Sequence, residues 1–581
     1  EVRRINFVGN RVYSDGRLRS EILTSESAWW RFLSTSDNYD PDRLAFDQER
    51  LRRFYLGNGY ADFEVRSVVA ELSPVEKNFF ITFTVNEGPR YKVGKVDVTS
   101  AIPDLAAESV APVVEIESGD WYDSEKVEEA IESLTDAVGN QGYAFVDIRP
   151  EVQRNAEAQS IDLTFAVQEG PRVFVERIDI VGNVRTLDRV IRREMNFVEG
   201  DAFNRAKVRR SRRNIQNLGY FKAVEIAPRQ GGEPDQAVVE IEVEEQSTGS
   251  LSFGVGFSTA DGALAEVSLQ ERNLLGRGQT LRLGTTIAAE RTRVNLGFTE
   301  PYLFDMPLSG GVDLFFDQDD RQDESSFNEE RLGSALRLGY DIAEDLRHTV
   351  GYRLVRSEID NIDDDASLFI KNQAGSSVTS ALSQSLTYDR RDNRILPNEG
   401  YRVQISNEVA GIGGSVRYLR YRAEAQYLYP LVEDRWILSF DAATGWIEGL
   451  NQDLRIVDRF FLGGGNLRGF ESAGVGPRDR ATDDALGGRM FYSGSVSLRY
   501  PLEVFDNAPL NGRLFTDFGS LWSAEESGPA VQDVNSLRMS IGTGITWRAP
   551  VGLISVDLAK PILKEDFDEE EIFRFSFGTQ F

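Results

Sequence analysis

The residues with the clearest capacity for specific polar chemistry lie in one glycine-rich loop, FFLGGGNLRGFESAGVGPRD, from Phe460 to Asp479. This loop places two arginines, Arg468 and Arg478, beside bulky aromatic residues and between strand-like runs. A guanidinium pairs with a carboxylate through two parallel hydrogen bonds, which fixes orientation as well as energy. The loop carries no recognisable catalytic motif, so its role depends on the segments that surround it.

Residues for covalent or metal chemistry are scarce in the rest of the chain. There is no cysteine, and His348 is the only histidine, so thiol chemistry, a catalytic triad and a His-rich metal site are excluded. The acidic runs at 317–320 and 360–365 lack the glycine and terminal glutamate of an EF-hand loop. The glycines at 411–414 lack the following helix that a phosphate cradle requires. We therefore expect no enzyme activity, no cofactor and no metal site.

The overall charge and hydropathy narrow the class of protein. The net charge is -29, from 94 acidic and 65 basic residues, which argues against general nucleic-acid binding. No run of 18 apolar residues occurs, so we expect no transmembrane helix. The mean hydropathy of -0.35 is still compatible with a transmembrane barrel, because such strands alternate apolar and polar residues.

The first 246 residues repeat three short signatures, two of them at a spacing of about 80 residues. A Gly-Tyr pair recurs at Gly59, Gly142 and Gly219, and Ile5–Asn10 is echoed at Ile178–Asn183. The third signature, Glu-Gly-Pro-Arg, occurs at 87–90 and 169–172. Fixed-period similarity of this kind predicts repeated modules.

Each module reads as strand, helix, helix, strand, strand. In the first module, the apolar spacing predicts a helix over Pro41–Leu56 and a strand over Phe79–Val85. Gly57 and Gly59 suit a helix C-terminus that needs positive φ, so we interpret them as turn residues.

After Gln246 the pattern changes to strict alternation of apolar and polar residues. It is clear in four segments: 251–257, 265–269, 436–440 and 573–579. Residues 247–581 accommodate about 16 antiparallel strands. A large soluble β domain is the alternative, but the many polar inward positions favour a barrel with a polar lumen.

We therefore predict α+β repeats of β-α-α-β-β order followed by an all-β transmembrane antiparallel barrel. The predicted boundaries are 1–91, 92–172 and 173–246 for the modules and 247–581 for the barrel, with a loop at 460–480.

Motifs along the whole chain resemble the polypeptide-transport-associated (POTRA) outer-membrane family, in which POTRA modules precede a 16-stranded barrel. The segments that carry this resemblance are Trp29–Leu33, Tyr39–Leu44, Glu199–Phe221, Glu245–Gly249, Glu271–Gly278, Phe298–Tyr302 and Gly463–Phe470. The resemblance implies a barrel in the bacterial outer membrane and modules in the periplasm. Because the chain begins inside a strand-like run without Met, we interpret it as a mature or trimmed fragment with the family's third, fourth and fifth modules.

The resemblance also implies a function for the glycine-rich loop. In the family this loop folds into the lumen, where its arginine contacts acidic residues of the wall. Arg468, with Leu467, Gly469 and Phe470, matches the loop motif, and Asp517 matches a wall carboxylate. The second acidic wall position falls at Ser497, a departure from the family pattern. Two roles stay open for this loop latch, a stabilising contact and direct handling of substrate.

A lateral seam between the first and last barrel strands is the second implied site. Here those strands correspond roughly to Gly249–Ser258 and Glu571–Phe581, and the glycines at 254, 256 and 578 weaken strand pairing. The seam residues are Leu251, Phe253, Gly254, Val255, Gly256, Phe573, Phe575, Phe577, Gly578 and Phe581.

The resemblance implies a factor that folds and inserts outer-membrane β-barrel proteins without ATP, through this seam, after the POTRA modules receive the substrate. The implied partners are unfolded outer-membrane proteins, periplasmic chaperones, accessory assembly lipoproteins, outer-membrane lipid and lipopolysaccharide, and no nucleic acid. Glu199 lies where the family docks a lipoprotein, although a solvated surface acid is an equal interpretation. The alternative functions are a TamA-type translocation and assembly subunit and a two-partner secretion pore.

Overall fold

The computed structural model describes residues 1–27, 37–73, 78–141, 143, 145–170, 173–394, 397–432, 435–502, 510–549 and 552–578. The chain divides into two compact units, Glu1–Ser247 and Thr248–Phe581. The motif segment Trp29–Leu33 lies outside the described residues. No helix within the described ranges is long and apolar enough to cross a membrane.

The first unit contains three modules, each built on a three-stranded sheet whose last strand lies in the middle. The first strand of each module runs parallel to this central strand and the second runs antiparallel to it. The elements are β1 (Val2–Val8), α1 (Asp15–Glu21), α2 (Pro41–Gly57), β2 (Glu64–Leu72), β3 (Phe79–Asn86), β4 (Lys92–Ser100), α3 (Ser124–Asn140), β5 (Val146–Asn155), β6 (Ser160–Glu169), β7 (Phe174–Val181), α4 (Asp188–Arg192), α5 (Arg205–Asn217), β8 (Phe221–Gln230) and β9 (Gln236–Glu245). The predicted module order is confirmed in the first and third modules.

The second module departs from the predicted two helices. Two short 3₁₀ turns, Ala107–Ser109 and Ala111–Val113, replace its first helix. Pro112 lies inside this segment and cannot donate the backbone hydrogen bond that a continuous α-helix would need there. In the first module, Gly59 has φ +92°, whereas Gly57 is still the last residue of α2, so only one of the two predicted turn glycines has positive φ.

The repeated Val-Gly-Asn signature ends the first strand of the first and third modules. Gly9 and Gly182 have φ +99° and +88°, in the left-handed region that favours glycine. A Cβ atom at these positions would lie 2.1 Å from the carbonyl oxygen of Val85 and 2.0 Å from that of Val243, respectively. The signature therefore recurs because both of these modules pass their first turn directly against their central strand.

The second unit is a closed barrel of sixteen antiparallel strands among the described residues. They are β10 (Gly249–Ser258), β11 (Gly262–Leu274), β12 (Gln279–Ala288), β13 (Arg291–Glu300), β14 (Ser309–Arg321), β15 (Phe327–Ala343), β16 (Leu346–Asp360), β17 (Gly375–Asp389), β18 (Gly400–Gly414), β19 (Tyr418–Val432), β20 (Trp436–Gly449), β23 (Met490–Pro501), β24 (Leu510–Trp522), β26 (Arg538–Ala549), β27 (Gly552–Leu563) and β29 (Phe573–Gly578). The predicted barrel is confirmed.

Short elements of the connecting segments complete the second unit. Two helices, α6 (Gln322–Ser325) and α7 (Leu368–Lys371), follow β14 and β16. Two-residue strands pair the loop after β20 with later loops: β21 (Gly469–Phe470) with β28 (Glu570–Glu571), and β22 (Arg478–Asp479) with β25 (Val531–Gln532). The long loop is therefore held by backbone pairing as well as by side chains.

Candidate functional site

The first barrel strand, β10, is paired unequally with its two neighbours. It pairs with β11 along its whole length, from Gly249 to Ser258. Within the described residues, its ladder with β29 contains only two register pairs, Phe257 with Phe577 and Ser258 with Ser576. The contact between β10 and β29 is thus the shortest ladder between barrel strands that the structure describes, and this is the predicted seam.

Gly256 lies where the two seam strands approach most closely. A Cβ atom at this position would be 2.3 Å from the carbonyl oxygen of Phe577 and 3.0 Å from Cα of Gly578. Real Cβ atoms essentially never come within 3.0 Å of another heavy atom, so any side chain here would displace the last strand. The absence of a side chain at Gly256 therefore allows the short ladder to close.

The apolar seam residues point away from the lumen. Leu251, Phe253 and Val255 are 58%, 71% and 67% exposed, as expected for side chains that face lipid. The rings of Phe257 and Phe575 lie across the seam with centroids 6.3 Å apart. Phe573 is also exposed, whereas Gly254 is buried. Phe581 lies outside the described residues.

The last strand begins later than predicted, because Glu571 belongs to the loop pairing rather than to the barrel wall. β29 begins at Phe573, and the backbone of Glu571 pairs with Gly469 of the long loop. The side chain of Glu571 accepts a hydrogen bond from Thr259 Oγ1 at 3.0 Å and a hydrogen bond from Arg574 Nη2 at 2.6 Å. Glu571 thus joins the first strand, the last strand and the loop, a role that no local sequence pattern indicates.

Arg468 makes the ion pair proposed for the loop latch. Its Nε and Nη2 donate to the two carboxylate oxygens of Asp517, each at 2.7 Å, and its backbone N–H donates to the same carboxylate at 3.1 Å. The guanidinium also lies over the ring of Phe515, with 3.4 Å from Cζ to the centroid. Asp517 is only 2% exposed, so this bidentate contact is shielded from water.

The second polar partner of Arg468 is Ser495 and not Ser497. Arg468 Nη2 donates to Ser495 Oγ at 3.0 Å, and that hydroxyl donates to Asp517 at 2.7 Å. Ser497 forms a hydrogen bond with Ser439 at 2.7 Å instead. Ser495 and Ser497 are two residues apart and therefore lie on the same face of β23. How far the loop extends into the barrel decides which of the two serines contacts Arg468.

The loop around Arg468 is packed as tightly as a protein core. Leu467 and Phe470 are fully buried, in a cluster with Leu462, Val475, Phe491 and Leu521. Gly469 has φ +96°, and a Cβ atom there would lie 3.0 Å from Cβ of Ser540 on the wall. The glycines therefore allow the loop backbone to run against the inner side of the strands.

The second arginine of the same loop, Arg478, is also almost fully buried. It is 1% exposed, and its Nη2 donates to Glu569 at 2.6 Å while its Nη1 donates to the carbonyl of Asp483. Glu569 precedes β28, so this ion pair also connects the loop to the segment that leads into the last strand. Sequence reasoning singled out the loop but assigned no contact to this arginine.

Glu199 and His348 lie away from these contacts. Glu199 follows α4, is 42% exposed, and accepts a hydrogen bond from Arg192 Nη1 at 2.5 Å. His348 lies on β16 and its Nδ1 is 2.9 Å from the hydroxyl of Tyr340. Among the described residues, no group of three or more His, Asp or Glu side chains is arranged to hold a metal ion.

The described residues form three POTRA-like modules and a closed barrel of sixteen strands, and a long loop is held against the inner wall of this barrel. This combination defines a class of outer-membrane barrel proteins. The Omp85 superfamily domain matches residues 273–581. A POTRA model, described as a surface antigen variable number repeat, matches 1–88, 91–170 and 173–246. The chain belongs to the Omp85 superfamily. Its barrel lies in the bacterial outer membrane and its POTRA modules lie in the periplasm.

Relatives match over the whole chain. The outer membrane protein assembly factor BamA of Neorickettsia risticii is 31% identical over 100% of this chain and 78% of its own length. BamA of Neisseria meningitidis is 26% identical over 99% of this chain and 78% of its own length. The crystal structure of BamA from Haemophilus ducreyi lacking POTRA domains 1–3 has the same fold, with a TM-score of 0.64 at 22% identity, and covers 84% of this chain and 100% of that one.

Proposed function

We propose that this protein folds and inserts β-barrel proteins into the outer membrane, without ATP, through the seam between β10 and β29. The relatives that bear the name outer membrane protein assembly factor support the general role in barrel assembly. The observation that supports the route is the two-pair ladder between β10 and β29, beside a ladder of ten pairs between β10 and β11. The protein acts as a template and a passage and performs no covalent chemistry.

Opening this short ladder creates a template for new strands. A separated β10 presents a row of backbone N–H and C=O groups that an incoming strand can pair with. In lipid, every backbone polar group must find a partner within the protein, so each hairpin that forms on this edge is stabilised as it enters the bilayer. The free energy comes from these hydrogen bonds and from apolar burial, and no nucleotide is needed.

The loop latch sets how easily the seam opens. Arg468 pins the loop to β24, and the next two residues of the loop pair with β28, which precedes β29. Release of the loop would therefore free the segment that leads into the last strand. This makes the latch a stabilising contact that also regulates substrate entry.

The periplasmic modules receive substrates and partners. The second strand of each module forms an outer edge of its sheet that can accept an extended segment by β-augmentation. The proposed partners are unfolded outer-membrane proteins, periplasmic chaperones and accessory lipoproteins of the BamD type, with the last module and Glu199 as the docking site for a lipoprotein. Outer-membrane lipid and lipopolysaccharide surround the barrel.

A disulfide across the seam tests this route, because the chain has no cysteine of its own. The test pair is Phe257→Cys with Phe577→Cys, which are register partners on β10 and β29. The matched control is Phe253→Cys with Val267→Cys, register partners on β10 and β11 that also face outward. Each pair is made the only copy in the cell, and folded outer-membrane barrels are counted with and without reductant.

The seam disulfide is expected to cause a broad loss of folded barrels that reductant reverses, while the control disulfide leaves assembly unchanged. Efficient crosslinking at the seam with normal assembly would contradict the proposal, and would favour a closed pore or a specialised TamA-type role. An equal loss from the control pair would show that any rigid barrel fails, and the seam would then have no special part.

A further inference from the structure

The turn between β13 and β14 holds an aromatic residue in a strained backbone conformation. Phe304 and Asp305 follow one another at φ +57° each, in the left-handed region that residues with side chains rarely adopt. The turn is ordered by its own backbone, because Leu303 N–H donates to Leu308 and Asp305 N–H donates to Tyr302. Strain of this kind persists where the surrounding structure holds a residue in a required direction.

The strained turn presents apolar side chains outward. Phe304 is 80% exposed and Met306 is 48% exposed, although both are residues that folding normally buries. The preceding turn at the same end of the barrel, between β11 and β12, repeats this combination: Leu275 has φ +54° and is 77% exposed. Exposed apolar side chains therefore occur in both turns at this end of strands β11 to β14.

Leu303 shows which side of the wall the turn occupies. Gly310 alternates with Val312 and Leu314 on β14, and these two side chains are 43% and 51% exposed on the lipid-facing side. A Cβ atom at Gly310 would lie 3.1 Å from Leu303 Cδ2. Leu303 thus covers the glycine on the outer surface of the barrel, and the turn folds towards lipid rather than into the lumen.

The same turn lies at the periplasmic end of the barrel. Only residues 246–248 connect β9 of the periplasmic modules to β10, so β10 begins at the periplasmic end. Antiparallel strands return to that end at the end of β11 and again at the end of β13. Residues 301–308 follow β13 and are therefore at the level of the inner leaflet surface. This level is where aromatic side chains are enriched in membrane proteins.

We propose that the turn Tyr302–Leu308 is a lipid anchor, which inserts Phe304 and Met306 into the periplasmic leaflet of the outer membrane. The occupant is the bilayer because the exposed side chains continue the lipid-facing surface through Leu303 and Gly310. Asp305, between the two apolar residues, has a charge that keeps the turn at the surface of the leaflet and prevents deeper insertion. The anchor fixes the depth of β13 and β14, which are three and four strands from β10 at the seam.

Fluorescence in lipid nanodiscs tests the anchor. Phe304→Cys is labelled with an environment-sensitive probe, and the matched control is Glu344→Cys, in the exposed turn between β15 and β16 at the same end of the barrel. Bilayers with phosphatidylcholine brominated on the acyl chains report contact with lipid, and aqueous iodide reports contact with water. Met306→Cys is a second probe position if Phe304→Cys does not fold.

The probe at position 304 is expected to be quenched by brominated lipid about threefold more than the probe at position 344, with the reverse order for iodide. Strong iodide quenching at 304 would overturn the proposal, because the turn would then lie in water. Protection from both quenchers would also overturn it, since protein and not lipid would then cover the turn.

Discussion

Gly256→Val is the substitution that acts most directly on the seam. The new side chain begins with a Cβ atom 2.3 Å from the carbonyl oxygen of Phe577, so the closed arrangement of β10 and β29 cannot persist. We expect the substitution to hold the seam open while the rest of the barrel stays closed. The carbonyl belongs to the backbone, so no rotation of a side chain can relieve the overlap.

The size of the effect follows from the length of the ladder. Two register pairs and the bond from Thr259 N–H to Phe575 hold the strands together among the described residues. At about 1 kcal/mol for each backbone hydrogen bond, loss of this contact costs about 2–3 kcal/mol. That free energy corresponds to a fall of about 30- to 150-fold in the ratio of closed to open seam.

The assay is the initial rate of disulfide formation between Phe257→Cys and Phe577→Cys in bilayers. Gly256→Val is expected to slow this rate by at least about tenfold. The matched control is Gly284→Val on β12, where a Cβ atom would meet nothing within 4 Å. An unchanged rate with Gly256→Val would refute the reasoning, and an equal loss with Gly284→Val would assign the effect to glycine replacement in general.

Three further changes probe the loops. Arg468→Ala leaves the carboxylate of Asp517, which is 2% exposed, without its cation. The free energy of unfolding of the barrel is therefore expected to fall by about 3–5 kcal/mol, which lowers the unfolding temperature on heated gels. The control Arg480→Ala, at an exposed position, is expected to leave that temperature unchanged. Glu571→Gln removes the negative charge that pairs with Arg574, and the closed seam is expected to lose about 1 kcal/mol of stability. The seam disulfide should then form about fivefold more slowly. A normal rate of disulfide formation would contradict the role of Glu571 at the seam. Burial raises the pKa of Glu324 on α6 to about 7, and nearby Glu290 and Asp323 act in the same direction while Arg321 opposes them. The raised pKa of Glu324 stabilises the folded loop below about pH 4.5, and this contribution is lost as the pH rises through about 7. The melting temperature of the protein is therefore expected to fall between about pH 5 and pH 8, and Glu324→Gln is expected to remove this fall. A fall that persists in Glu324→Gln would contradict the assignment.

Local patterns in the sequence predicted the architecture because the architecture is built from local repeats. The alternation of apolar and polar residues over 251–257 predicts a strand with one apolar face, and this prediction does not depend on which strand it pairs with. The Val-Gly-Asn signature marked the modules because each copy meets the same constraint, a turn backbone against a central strand at Gly9 and Gly182. In the second module, where Pro112 cannot donate a backbone hydrogen bond, 3₁₀ turns replace the predicted first helix.

The candidate site was only partly predictable, because its contacts join segments far apart in the chain. The resemblance to a family pointed to Arg468 and Asp517, but the alternation on β23 does not distinguish Ser495 from Ser497. Glu571 extends an alternating segment in the sequence, yet its backbone pairs with the loop and leaves the wall to begin at Phe573. Such choices depend on register and on loop depth, and neither leaves a trace in local spacing.

The sequence by itself determined the faces of the strands and the number and order of the modules, since the period of apolar residues depends only on backbone geometry. Tertiary structure alone decided that β10 has ten register pairs on one side and two on the other, and that Gly256 meets the carbonyl of Phe577. Closure of a barrel brings its first and last strands together, so the shape of the seam is a property of the closed ring and not of either strand.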